Sequence, residues 1–111
     1  MKQCCPEIPD CCDMRGMLSF QILWLLSKKS MNGQEISEEL GKRKGSKPTP
    51  GTIYPALKDL EAKGVVKKEK KGRTTIYALT KEGRRGLDRA CKYFCNAFGE
   101  IVQEYCGKTN R

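Results

Sequence analysis

From Leu87 onward, apolar side chains return at alternating intervals of four and three: Leu87, Cys91, Phe94, Phe98, Ile101 and Tyr105. That spacing is the seam of a helix packed along another helix. It predicts one helix from about Lys81 to Cys106, about 39 Å long. A chain of 111 residues makes a single modest domain, and a domain of that size cannot cover such a helix along its whole length. The seam therefore calls for a second chain, with these six residues at a dimer interface.

Charge is segregated just as sharply. The formal net charge is +9, but residues 1–40 carry −2, residues 41–89 carry +10 and residues 90–111 carry +1. Clustered lysine and arginine displace the counterions condensed on a phosphate backbone, so the middle segment suits a nucleic acid, although a solvated lysine-rich surface fits the count equally well. Histidine is absent, which removes Ser-His-Asp and Cys-His catalysis and every imidazole metal site. The expectation is a protein that is not an enzyme. The N-terminus, MKQCCPEIPDCCD, lacks an apolar signal core, and the run Ile22-Leu23-Trp24-Leu25-Leu26 is too short to span a bilayer. A cytoplasmic protein without membrane contact is expected, its seven cysteines reduced.

Along the chain, Met14 to Ser27 is apolar on nearly all sides and reads as a covered helix. Asn32-Gly33-Gln34-Glu35 has the pattern of a capping box opening a short helix with Ile36 and Leu40, which Gly41 would end. After a basic loop, Thr49-Pro50 starts a third helix whose Ile53, Ala56, Leu57 and Leu60 make one buried stripe, with Gly64 closing it. Its opposite face, Gly51, Pro55, Lys58 and Ala62, has little bulk and can approach another surface closely. Pro55 lacks the amide that would reach the Gly51 carbonyl, so a distorted first turn or a later start is expected. Val65 to Lys70 and Thr74 to Leu79 flank Lys71-Gly72-Arg73 as a hairpin with a basic tip, and Thr80 can cap the last helix.

This is a mostly α fold with a small β-hairpin, a winged helix-turn-helix with a long C-terminal dimerisation helix. Three parts follow: a cysteine-rich lead-in over residues 1–13, a DNA-binding domain over 14–80, and the dimerisation helix and tail over 81–111. The segment from Pro48 to Val66, PTPGTIYPALKDLEAKGVV, with Arg73 to Gly83, RTTIYALTKEG, and Asn32 to Ile36, NGQEI, closely resembles the PadR family of transcriptional regulators. The resemblance spans roughly residues 15 to 90. It implies a homodimer that binds a palindromic double-stranded operator, usually as a repressor, and releases it when a small phenolic or other hydrophobic effector binds near the dimer interface. By that resemblance Thr49, Thr52, Tyr54 and Lys58 fall on the recognition helix, and Lys70, Lys71 and Arg73 on the wing. A non-regulatory basic nucleic-acid-binding protein is the alternative, and Tyr54 and Thr49 have alternative roles in helix packing and capping.

Trp24, the only tryptophan, fits either core packing or the floor of an effector pocket. No cofactor is implied by the fold. The cysteines permit one on thiolate sulfur alone: Cys4, Cys5, Cys11 and Cys12 crowd the lead-in, while Cys91, Cys95 and Cys106 edge the seam of the last helix. Metal or redox sensing through them is an alternative to an organic effector, and inert buried or flexible thiols are the plainer reading.

Overall fold

The structure, a computed structural model, describes residues 17–107. Four helices and three short strands follow one another: α1 (Leu18–Lys28), β1 (Met31–Asn32), α2 (Gly33–Lys44), α3 (Pro50–Ala62), β2 (Val66–Lys71), β3 (Thr74–Leu79) and α4 (Lys81–Gly107). The mostly α winged-helix architecture with its long last helix is as expected. In place of a two-stranded hairpin, however, there is a three-stranded antiparallel sheet of order β1-β3-β2. The two residues of β1 pair with the far edge of β3, Met31 opposite Tyr77 and Asn32 opposite Ile76.

Asn32 thereby ends a strand and caps a helix at once. Its Oδ1 accepts from the Glu35 amide at 2.8 Å, and Glu35 Oε1 accepts from the Asn32 amide at 2.9 Å, which is the capping box in full. Asn32→Ala is expected to cost about 1 kcal/mol, read as a lower midpoint in urea with an unchanged m-value. Gly41 does not end α2. A carboxyl-terminal turn is added, and Gly45, at φ 87°, returns its amide to the Gly41 carbonyl. Gly41 has a packing role instead, because a Cβ there would sit 3.1 Å from Lys47 Cα. Ser37, buried, donates to the Pro48 carbonyl at 2.7 Å and holds the α2–α3 loop against α2.

α3 neither starts late nor breaks at Pro55. The amides of Thr52 and Ile53 both donate to the Thr49 carbonyl, a tightened first turn that leaves the Gly51 carbonyl facing Pro55. Thr49 occupies the cap position, yet its hydroxyl caps nothing and lies 3.2 Å from the Thr52 hydroxyl. The stripe Ile53, Leu57 and Leu60 is buried against Ile22, Leu25 and Leu26 of α1 and Ile36 and Leu40 of α2, with Met31, Val66 and Tyr77 completing the core. Burial raises the Tyr77 hydroxyl above its ordinary pKa, and the nearby Tyr54 and Glu61 add to that.

The joint between wing and last helix is built on Thr80. Its amide donates to the Val65 carbonyl, its hydroxyl donates to the Gly64 carbonyl at 2.7 Å, and that hydroxyl also accepts from the Gly83 amide at 3.0 Å. α4 then runs 27 residues, and its seam divides in two. Leu87, assigned to a dimer interface, is 6% exposed within its own chain. Phe94 stacks on Phe20 of α1, with ring centroids 5.5 Å apart, and Phe98 lies tilted against Phe94 at 5.0 Å. The physical reason for the difference is α1, whose all-round apolar surface needs cover and takes it from the first half of the seam. Ile101 and Tyr105 remain 55% and 61% exposed, joined by Val102 at 44%.

Candidate nucleic-acid interface

All seven residues assigned to the interface, Thr49, Thr52, Tyr54, Lys58, Lys70, Lys71 and Arg73, are exposed, as are Gly51, Pro55 and Ala62 on the same side of α3. The wing alternates. Val66, Lys68 and Lys70 share one face with Tyr77 and Thr75, while Lys67, Glu69 and Lys71 share the other. Lys68 lies 3.6 Å from Glu61 of α3, so the Lys70 face of the wing turns toward α3. The tip is a two-residue connection between Lys71 and Thr74 with Gly72 at φ 64°. Glycine at the first turn position with a positive φ matches the twist of the flanking strands.

Tyr54 leans across to α2, and its ring rests on Gly33: a Cβ there would stand 2.5 Å from the phenol oxygen. It separates two concavities. One, of about 300 Å³, is polar and lined by Asn32, Gly33, Gln34, Tyr54, Arg73, Thr74, Thr75 and Tyr77. The other, of about 320 Å³, lies between α2, the α2–α3 loop and α3, with Lys47 and Pro48 at its edge. Tyr54 thus packs on α2, the alternative to a DNA contact, while 47% of its surface stays open to solvent. Gln34, Thr74 and Thr75 were not foreseen here. They enter because β1 pairing with β3 draws the amino end of α2 up to the base of the wing; a two-residue strand has no periodicity to announce it.

A separate cavity of about 330 Å³ lies between α1, α2 and α4, lined by Phe20, Gln21, Trp24, Leu25, Leu40, Arg43, Cys91, Phe94 and Cys95. Trp24 has Lys28 Nζ at 4.7 Å and the Arg43 guanidinium at 5.2 Å from its ring. Hydrogen bonds from Lys42 and Arg43 hold the Glu39 carboxyl below its ordinary range. The clamp is complete above the unfolded carboxylate range and is lost as pH falls through the lowered folded value.

The four lead-in cysteines, Cys4, Cys5, Cys11 and Cys12, lie outside the described residues. Cys91 is half-buried, Cys95 exposed and Cys106 half-buried. Cys106 stands about 16 Å beyond Cys95 along α4, so one chain cannot bring all three to one ion. Among the described residues no three Cys, Asp or Glu side chains gather as a metal site.

The family model described as transcriptional regulator PadR-like family matches residues 22–89, which run from α1 through the wing into α4. The chain belongs to the PadR-like family. This PadR-like regulator is 34% identical over 97 residues to the transcriptional regulator Rv3488 of Mycobacterium tuberculosis, covering 84% of this chain and 86% of that protein. It is 31% identical over 83 residues to a 37.1 kDa protein in transposon TN4556 of Streptomyces fradiae. The match takes in 74% of this chain but only about a quarter of that protein's length. A PadR family transcription regulator of Clostridium difficile has the same fold, with TM-score 0.67, 26% identity, and 82% and 99% of the two chains covered. The PadR-like protein is accordingly a DNA-binding transcriptional regulator, and its family relatives are regulators rather than enzymes. Among the described residues no helix is long and apolar enough to cross a membrane.

Proposed function

We propose that the protein is a cytoplasmic homodimeric repressor, joined through the outer half of α4, that holds a palindromic operator and releases it when a small hydrophobic effector enters the Trp24 cavity. Residues 14–80 are the DNA-binding domain and 81–111 the dimerisation helix and tail. The observation that carries the reading is the meeting of three features at one groove: the low, hydroxyl-bearing face of α3, the amino end of α2 and the basic wing tip. Thr52, Tyr54 and Lys58 supply donors to base edges and phosphates, with Thr49 beside them, while Lys70, Lys71 and Arg73 act on phosphates, where sequence is not read. The solvent-exposed Ile101, Val102 and Tyr105 support the dimer, and the aromatic lining around Trp24 supports the effector.

Footprinting on the DNA upstream of its own gene should show a palindrome with half-sites one helical turn apart. Protection of a single asymmetric site, or of none, contradicts the dimer reading. Lys71→Ala and Arg73→Ala should weaken binding to every duplex and lower the salt slope by about 0.9 per lost phosphate contact; a slope equal to wild type in both variants removes the wing from the interface. Lys58→Ala should in addition reduce discrimination between operator and unrelated DNA.

A further inference from the structure

Three observations meet in the Trp24 cavity. First, Cys91 and Cys95 are one turn apart on α4, with Cβ atoms about 5–6 Å from each other, and both line the space. Second, its other walls include the rings of Phe20, Trp24 and Phe94, and its volume of about 330 Å³ is at the small end of ligand sites, room for a molecule of one or two rings. Third, the oxygen of the Gln21 carboxamide, a residue that borders it, is buried and has no hydrogen-bond partner among the described residues. A buried acceptor left unmatched costs about 1–3 kcal/mol, so the cavity favours an occupant that brings a donor to it.

We propose that Cys91 and Cys95 are a covalent capture site for a small planar conjugate acceptor, an enone or quinone, that enters this cavity. An apolar, aromatic-walled concavity with two thiols and, among the described residues, no third ligand suits a carbon electrophile better than a soft metal ion, which would need more donors than those residues gather there. The thiolate sulfur bonds to the carbon β to the carbonyl, and the alkene π pair moves onto the carbonyl oxygen beside the positive Arg43. The proton given up by the thiol then returns to the adduct. In a quinone it goes to that oxygen, and the hydrogen on the substituted ring carbon shifts to the second oxygen, giving a thioether-substituted hydroquinone. Thiol and acceptor are the only reactants, and nothing else is oxidised or reduced. A quinone has only acceptors to offer Gln21, whereas the hydroquinone adduct has two hydroxyl donors, so the product fits the cavity better than the reagent.

This deepens the effector reading given above and shares its cavity, but capture is measurable without DNA. The full-length reduced protein is treated with less than one equivalent of 1,4-naphthoquinone, the adduct is mapped by tandem mass spectrometry, and the emission of Trp24, the sole tryptophan, is followed. The expected result is an adduct on Cys91 or Cys95 ahead of the five other cysteines, with Trp24 emission lost in step. Because both residues line the same space, the full-length variant combining Cys91→Ser and Cys95→Ser should lose both signals while keeping its melting temperature. Label spread evenly over the seven cysteines, label on α4 without a change in Trp24 emission, or quenching that persists in the double variant overturns the proposal; the first two are read on the unmodified chain. A gel shift on the footprinted DNA separates the two readings. Capture without release sinks the effector reading alone, and release of the double variant by unreactive naphthalene supports that reading without capture.

Discussion

Ile101→Glu combined with Tyr105→Glu should give a monomer that no longer holds its operator. These side chains, 55% and 61% exposed in the single chain, continue the seam past the point where α1 covers it, and Val102 widens it. In a dimer, each carboxylate would have to leave water without a partner, which costs several kcal/mol per ion. Loss of the dimer also separates the two reading heads, leaving each to bind one half-site. Affinity should then fall by about a thousandfold or more, into the range of non-specific binding. Light scattering after size exclusion and a gel shift at fixed salt check both parts. Gln103→Glu, placed by the helical repeat on the opposite side of α4, is the control and should remain dimeric. A double variant that still elutes as a dimer places the interface elsewhere.

The second large effect is local. Gly83 is buried in the first turn of α4, and a methyl group there would run into the Val65 carbonyl oxygen and stand 2.9 Å from Leu79 Cδ2. The carbonyl is backbone and already accepts from the Thr80 amide, so it cannot swing aside. Gly83→Ala should force α4 away from the base of the wing and cost about 1–3 kcal/mol, even though alanine is otherwise the better helix residue by about 1 kcal/mol. Gly86, three residues on, has nothing within 4 Å of a built Cβ. Gly86→Ala should therefore stabilise by about 0.5–1 kcal/mol. Thermal melts of the two variants should move in opposite directions, by about 4–8 °C per kcal/mol. Equal shifts of the same sign would falsify the claim that Gly83 is selected by contact.

What the sequence announced was local and periodic. The Asn32–Glu35 capping box, the Ile53–Leu57–Leu60 stripe and the strands about Gly72 each rest on residues a few positions apart; the first two formed as read, and the first strand shifted by one residue to Val66–Lys71, which takes Lys71 out of the tip. The failures concern contacts between distant segments. Nothing in Met31-Asn32 signals that two residues will pair with Ile76 and Tyr77, so Gln34 and Thr75 could not be placed in the groove. Gly41 looked like a helix stop because glycine commonly serves there; whether it ends α2 or makes room for Lys47 depends on the loop folding back. The seam of α4 was legible as apolar, but periodicity carries no information on which chain covers it, and α1 took the first half.

The bonds around Thr80 have a mechanical consequence. One hydroxyl ties the segment after α3 to the first turn of α4, and the Thr80 amide ties in Val65, so α3 and the root of α4 are linked through three hydrogen bonds on one residue. In the proposed dimer a rod about 40 Å long, held at its root and joined to its twin near the tip, would act as a lever. A few degrees of tilt at that joint would swing the two α3 helices off the helical-turn spacing of a palindromic operator.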